Sequence, residues 1–179
     1  ITPFNTRKIA RDNSKISQFN LGSSLLDEFL KQNLNTRDVF DIENTAKYFA
    51  LCDLLQAIGA NTWYDMRFYF DPIQARIIPI GYDAQIPYLI SKRSLSLDQN
   101  VLKLFDDQFF RSAYLKYLYL FSEEDYLNNF LAEINNELTS QLLIVNQSFP
   151  FVKYFKEEFF KNAEYIRNRI NLLNPIGIR

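Results

Sequence analysis

Two aspartates flank the one stretch of this chain whose pattern is extended rather than helical. In Trp63-Tyr-Asp-Met-Arg-Phe-Tyr-Phe-Asp-Pro-Ile-Gln-Ala-Arg-Ile-Ile-Pro-Ile-Gly-Tyr-Asp83, an aromatic run from Met66 to Phe70 meets the turn signal Asp71-Pro72-Ile73-Gln74. A second extended run, Arg76 to Ile80, is closed by Pro79 and Gly81. The pattern predicts an antiparallel hairpin. Its free ends must lie together, so Asp65 and Asp83 should be neighbours although 18 positions separate them. Two carboxylates at adjacent strand ends can hold a divalent cation such as Mg²⁺ through oxygen ligands. Both can equally be solvated turn residues, and spacing alone does not choose between the two readings.

Other chemistries are removed by composition. The chain has no histidine, so the usual general base, the usual zinc ligand and every Ser-His or Cys-His nucleophile pair are missing. Its four glycines, Gly22, Gly59, Gly81 and Gly177, are too scattered for a phosphate-cradling loop. The lone cysteine, Cys52, sits in an apolar segment and is expected to be a buried, inert thiol, which leaves the redox compartment open. A formal net charge of −1 over 179 residues argues against nucleic acid as a partner, because neutralising phosphates needs a basic face. The apolar runs are too short and too often broken by charge to span a bilayer. Ile1 stands first with no basic-then-apolar leader before it, so the chain is expected to be a piece excised from a longer precursor.

The elements that must position these residues are mostly helices. Residues 1 to 20 show no sustained period and are expected to be irregular. Ser24-Leu25-Leu26-Asp27 has the form of a capping box, predicting a short helix that ends near Asn33 and turns Leu25, Leu26, Phe29 and Leu30 inward. Asp41 is a predicted N-cap for a central helix over Ile42 to Ile58, apolar on most sides and therefore buried. Asp53 lies inside that helix. A carboxylate among such neighbours must be hydrogen-bonded or ion-paired, and the expected role is structural, pinning the loop that follows. Ala84 to Asn100 is predicted to be a long loop carrying the basic pair Lys92-Arg93. Helices are then expected over Val101 to Phe105, Asp107 to Leu120, Ser122 to Asn146 and Pro150 to Leu173, with a second capping box at Ser122 and a core stripe of Phe109, Phe110, Tyr114, Tyr117, Tyr119, Tyr126, Phe130, Phe155, Phe159, Phe160 and Tyr165. The expected class is mainly α with one β-hairpin (α+β), in a single domain spanning residues 1–179.

Taken together, Asp38-Val-Phe-Asp-Ile-Glu-Asn-Thr-Ala-Lys-Tyr-Phe-Ala-Leu-Cys-Asp53, the Trp63 to Tyr69 segment and Pro79-Ile-Gly-Tyr-Asp83 resemble the CotH-like family, named for the spore coat protein H kinases. A Ser-x-x-x-Tyr-Leu segment at Ser122 to Leu127 and Ile166-Arg167 add to the likeness. The resemblance implies the mostly helical C-terminal lobe of an atypical protein kinase, with Mg²⁺ and ATP as cofactors. On it, Asp83 falls at the metal-binding aspartate, and Asp65 falls where the family usually carries an asparagine that holds a second metal. The catalytic aspartate belongs about five residues ahead of that position, where this chain has Ala60 between Gly59 and Asn61. Asp53 is the one substitute on offer. No glycine-rich strand or Val-Ala-x-Lys-like strand precedes these motifs, so the nucleotide-binding lobe is absent from these residues.

The resemblance therefore supports two functions. The first is Mg-ATP-dependent phosphoryl transfer to a serine of an extracytoplasmic protein. The second is a catalytically silent binding or structural module of the bacterial cell envelope, a pseudokinase in effect. A helical interaction domain with no nucleotide history is a third reading. Secreted or cell-surface localisation comes from the family likeness alone.

Overall fold

The computed structural model describes residues 1–84, 98–152 and 156–173. Asp41 starts the central helix, α4 (Ile42–Leu55), as the sequence predicts: its carboxylate accepts the Asn44 backbone N–H at 2.9 Å, satisfying a donor that the first helical turn cannot pair internally. The helix stops three residues short of the predicted end. Gln56 takes a left-handed φ of 50° and its N–H turns back to the Asp53 and Cys52 carbonyls. A 3₁₀ turn over Ile58–Asn61 follows.

Before α4 come α1 (Thr6–Ile9), α2 (Asn13–Leu30) and α3 (Thr36–Val39). Residues 1 to 20 are therefore not irregular, and Ser24 caps nothing. Asp12 is the N-cap, its Oδ1 accepting the Ser14 and Lys15 N–H groups at 3.0 and 3.2 Å, and Ser24 is an exposed residue in mid-helix. The inner face is as expected, with Leu26 and Phe29 buried and Leu25 and Leu30 packed beside them. Gly22 lets α2 approach the hairpin, since a Cβ there would meet the Phe70 side chain at 3.2 Å.

The hairpin pairs β1 (Arg67–Asp71) with β2 (Arg76–Ile80), antiparallel, in the register Arg67 to Ile80 through Asp71 to Arg76. Asp71 builds the turn by accepting the Ile73 N–H at 2.8 Å. An isolated bridge between Phe40 and Ile77, with the Asp41 N–H donating to the Ile77 carbonyl at 3.0 Å, fastens β2 to the start of α4.

The C-terminal half holds α5 (Gln99–Leu102), a 3₁₀ turn over Lys103–Asp106, α6 (Gln108–Ser122), α7 (Glu124–Ser148) and α8 (Lys156–Leu173). Ser122 is the last residue of α6 and not the first cap of α7; its hydroxyl donates back to the Tyr119 carbonyl, and Glu123 in the N-cap position makes no side-chain cap. The Arg167 guanidinium donates to the Ser122 carbonyl, so this arginine caps the end of another helix. The aromatic stripe divides: Phe110 and Tyr117 are buried, Tyr114, Tyr126 and Phe160 are partly buried against the core, and Phe109, Tyr119, Phe130 and Tyr165 are exposed.

The fold is thus mainly helical with one two-stranded antiparallel hairpin, as the sequence predicts. One apolar cluster runs from Leu26 on α2 to Ile166 on α8, and its middle is the edge-to-face contact of Phe49 on α4 with Phe110 on α6, ring centroids 6.0 Å apart. Among the described residues no helix is long and apolar enough to cross a membrane.

Candidate functional site

The register leaves Asp65 two residues and Asp83 three residues beyond the last strand pair, at the same end of the hairpin. Asp65 is half-buried, its N–H donating to the Thr62 carbonyl at 2.9 Å. Asp83 is exposed and holds a left-handed φ of 45°, a region that aspartate visits more readily than most residues. Neither aspartate forms an ion pair among the described residues.

A cation is already built into this end of the hairpin. The Arg67 guanidinium donates to the Asp65 and Met66 carbonyls at 2.9 and 3.1 Å and lies 4.7 Å from the centre of the Tyr82 ring. Two carboxylates are the number that a Mg²⁺-phosphate site commonly uses, so the donor types match. The fixed positive charge of Arg67 works against a divalent ion in the same place. Among the described residues no group of three or more Cys, Asp or Glu side chains could share a metal, so Asp53 does not complete the pair.

Asp53 lies elsewhere in the fold. Its carboxylate faces α6 and accepts the Tyr114 hydroxyl, so the residue pins two helices together rather than the loop that follows it. Burial pushes this carboxyl up to about 6, and the bond from Tyr114 opposes part of that rise. Tyr114 moves up as well, chiefly by burial and then by the neighbouring carboxylate. The backbone carbonyls of Asp53 and Leu54 accept the Asn162 side-chain amide of α8 at 2.9 and 2.6 Å. Asp53 is thus tied to α6 through its carboxylate and to α8 through its main-chain carbonyl.

The position expected for a catalytic aspartate is closed. Ala60 is buried with Cys52 and Ala57, and its carbonyl accepts the Tyr48 hydroxyl. Cys52 is a buried thiol, as expected, pushed up to about 12 by burial and then by the charge of Asp53, so it stays protonated at neutral pH. Lys92 and Arg93 lie outside the described residues.

Sequence reasoning did not find Tyr114, Asn162 or Arg67 as partners of the candidate aspartates. The first two stand 61 and 109 positions from Asp53, beyond any local pattern. Arg67 alone left a readable signal, a basic residue two positions from Asp65 at the start of a strand. No family model matches this chain, and neither a curated protein nor a solved structure matches it.

Proposed function

We propose that this chain is a catalytically silent, CotH-like, kinase-derived module that binds another protein of the bacterial cell envelope. The observation that carries the reading is the state of the two positions where a proton acceptor would be needed. Ala60 offers only a main-chain carbonyl, and that is taken by Tyr48. Asp53, the substitute, is held by Tyr114 between α4 and α6. Without an accessible carboxylate at either position, nothing there can orient a serine hydroxyl for in-line attack on a phosphoryl group. On this reading the hairpin and the helices persist as a scaffold, and the envelope location is inherited from the family likeness.

A second reading, the C-lobe of an active kinase acting on serine, keeps one observation in its favour: Asp83 is solvent-facing at the hairpin end with Asp65 on the same side. Were Mg²⁺ and ATP to bind, Asp83 and Asp65 would hold the metal, which would neutralise phosphate charge. Calorimetry with MgATP on the chain joined to the nucleotide-binding lobe that the kinase reading requires, beside Asp83→Asn, separates the two. The silent reading expects no Mg²⁺-dependent heat from either protein. Saturable binding that Asp83→Asn removes would overturn it in favour of the kinase.

A further inference from the structure

The hairpin has one open edge. In an antiparallel ladder the N–H and C=O of a residue point to the same side, and the side alternates along the strand. The Ile77 carbonyl of β2 is turned away from β1, since it accepts the Asp41 N–H at 3.0 Å. Ile77 stands opposite Phe70, and Pro79, which has no N–H to give, stands opposite Phe68. The main-chain groups of Phe68 and Phe70 therefore point away from β2, out of the free edge of β1. Among the described residues no third strand flanks β1, and no hydrogen bond reaches these groups. The strand also lacks the lysine, proline or bulge that commonly keeps an edge solitary.

We propose that β1 pairs with β1 of a second copy of the chain, antiparallel about a two-fold axis at Tyr69, so that two hairpins join into one four-stranded sheet. The strand reads Arg67-Phe68-Tyr69-Phe70-Asp71, a cation and an anion at equal distances from a central tyrosine. Outward main-chain groups must face outward groups, which leaves registers centred on Phe68, Tyr69 or Phe70. Centring on Phe68 sets Phe70 against Met66, whose N–H and carbonyl are already bonded to Thr62 and Arg67. Centring on Phe70 sets Phe68 against Pro72, which has no N–H. Centring on Tyr69 pairs Phe68 with Phe70 twice, which uses every outward group, and sets Arg67 opposite Asp71 twice on the outer face, where Tyr69 is 52 % exposed. Both ions have atoms to spare for this. The main-chain bonds of the Arg67 guanidinium leave from Nη1 and those of Asp71 arrive at Oδ1, so Nη2, Nε and Oδ2 have no hydrogen-bond partner among the described residues. Main-chain groups alone would accept any extended peptide; the placement of the two charges selects the strand's own antiparallel image.

Sedimentation velocity on the full chain across the micromolar range, beside amide hydrogen exchange at the same concentrations, tests the assignment. A concentration-dependent dimer is expected, and with it slower exchange at Phe68 and Phe70, while Tyr69, paired within the hairpin, changes little. Arg67→Glu and Asp71→Lys should each weaken association at least tenfold with helical circular dichroism retained. An equimolar mixture of the two variants should associate again, because each then offers the other the opposite sign at both ends of the strand. A chain that stays monomeric throughout would overturn the proposal. So would a dimer that leaves Phe68 and Phe70 exchange unchanged, or a mixture that stays apart while both variants are folded. Should Asp71→Lys loosen the turn, exchange in the unmodified chain still decides. Slowing of the two amides by an unrelated Val-Thr peptide, without any dimer, would reassign the edge to a foreign strand.

Discussion

Tyr114 of α6 donates its hydroxyl to the carboxylate of Asp53 on α4, and that bond joins the two helices that form the middle of the core. A buried carboxyl raised to about 6 from an unfolded value near 3.8 binds a proton more tightly in the folded chain than in the unfolded one. Its contribution to stability is therefore fully present below about pH 4 and is lost as pH rises through about 6. The loss should be on the order of 3 kcal/mol. Urea titrations between pH 4 and 7.5 check this: Asp53→Asn should flatten the part of the profile that falls with pH. Parallel profiles for the two proteins would show that Asp53 titrates normally. Tyr114→Phe should cost about 1.5–3 kcal/mol at pH 7.5, where the carboxylate is charged and needs its donor.

Asp107 holds the other end of α6. Its side chain is buried, accepts the Phe109 N–H at 2.8 Å and the Arg37 N–H at 3.3 Å, and pairs with the Arg37 guanidinium at 3.4 Å. Asp107→Ala removes a helix cap and leaves a backbone donor of α3 unpaired, with an expected loss of about 3 kcal/mol in urea denaturation. Arg37→Ala should cost about 1 kcal/mol, because the guanidinium is half exposed and the carboxylate keeps its backbone donors. Equal losses from the two variants would show that the ion pair, and not the cap, dominates.

Asn162 closes α4 from a distance. Its amide spans the Asp53 and Leu54 carbonyls of the last turn, which the helix's own i+4 donors do not reach. Asn162→Ala should cost about 2 kcal/mol. Asn162→Asp should cost more, since it turns an acceptor toward two acceptors. Hydrogen exchange in Gln56 and Ala57, whose N–H groups close that turn, should speed up in both variants; unchanged protection would show that α8 adds nothing to the α4 terminus.

Trp63 stacks on Phe29 with ring centroids 5.8 Å apart and leans on Phe68 at 5.4 Å, covering the seam between α2 and the hairpin. Trp63→Ala should lower stability by about 3 kcal/mol. A thermal melt shifted by less than the equivalent of about 1 kcal/mol would mean that the indole is expendable to the core.

What could be read without coordinates was whatever acts within a few residues. The Asp41 cap works over three positions and the Asp71 turn over two, so both were legible, as were the alternation of the hairpin and the inner face of α2 around Leu26 and Phe29. The start of α2 was missed although Asp12 caps it just as locally, because Asn13 to Asn20 is largely polar and its helix shows little apolar period. Ser122 failed as a cap for the opposite reason: α6 runs through it, and Arg167 arrives from α8 to take its carbonyl.

For the candidate site, the sequence by itself determined that histidine chemistry is absent and that a hairpin carries Asp65 and Asp83 to one end. Only the tertiary structure decided what each aspartate faces. Asp53 meets Tyr114 from 61 positions away, and Asp107 meets Arg37 from 70. Such pairings depend on how helices are rotated against each other, and burial of the whole core sets that rotation. A carboxylate's neighbours, and hence its proton affinity, are properties of the packed chain.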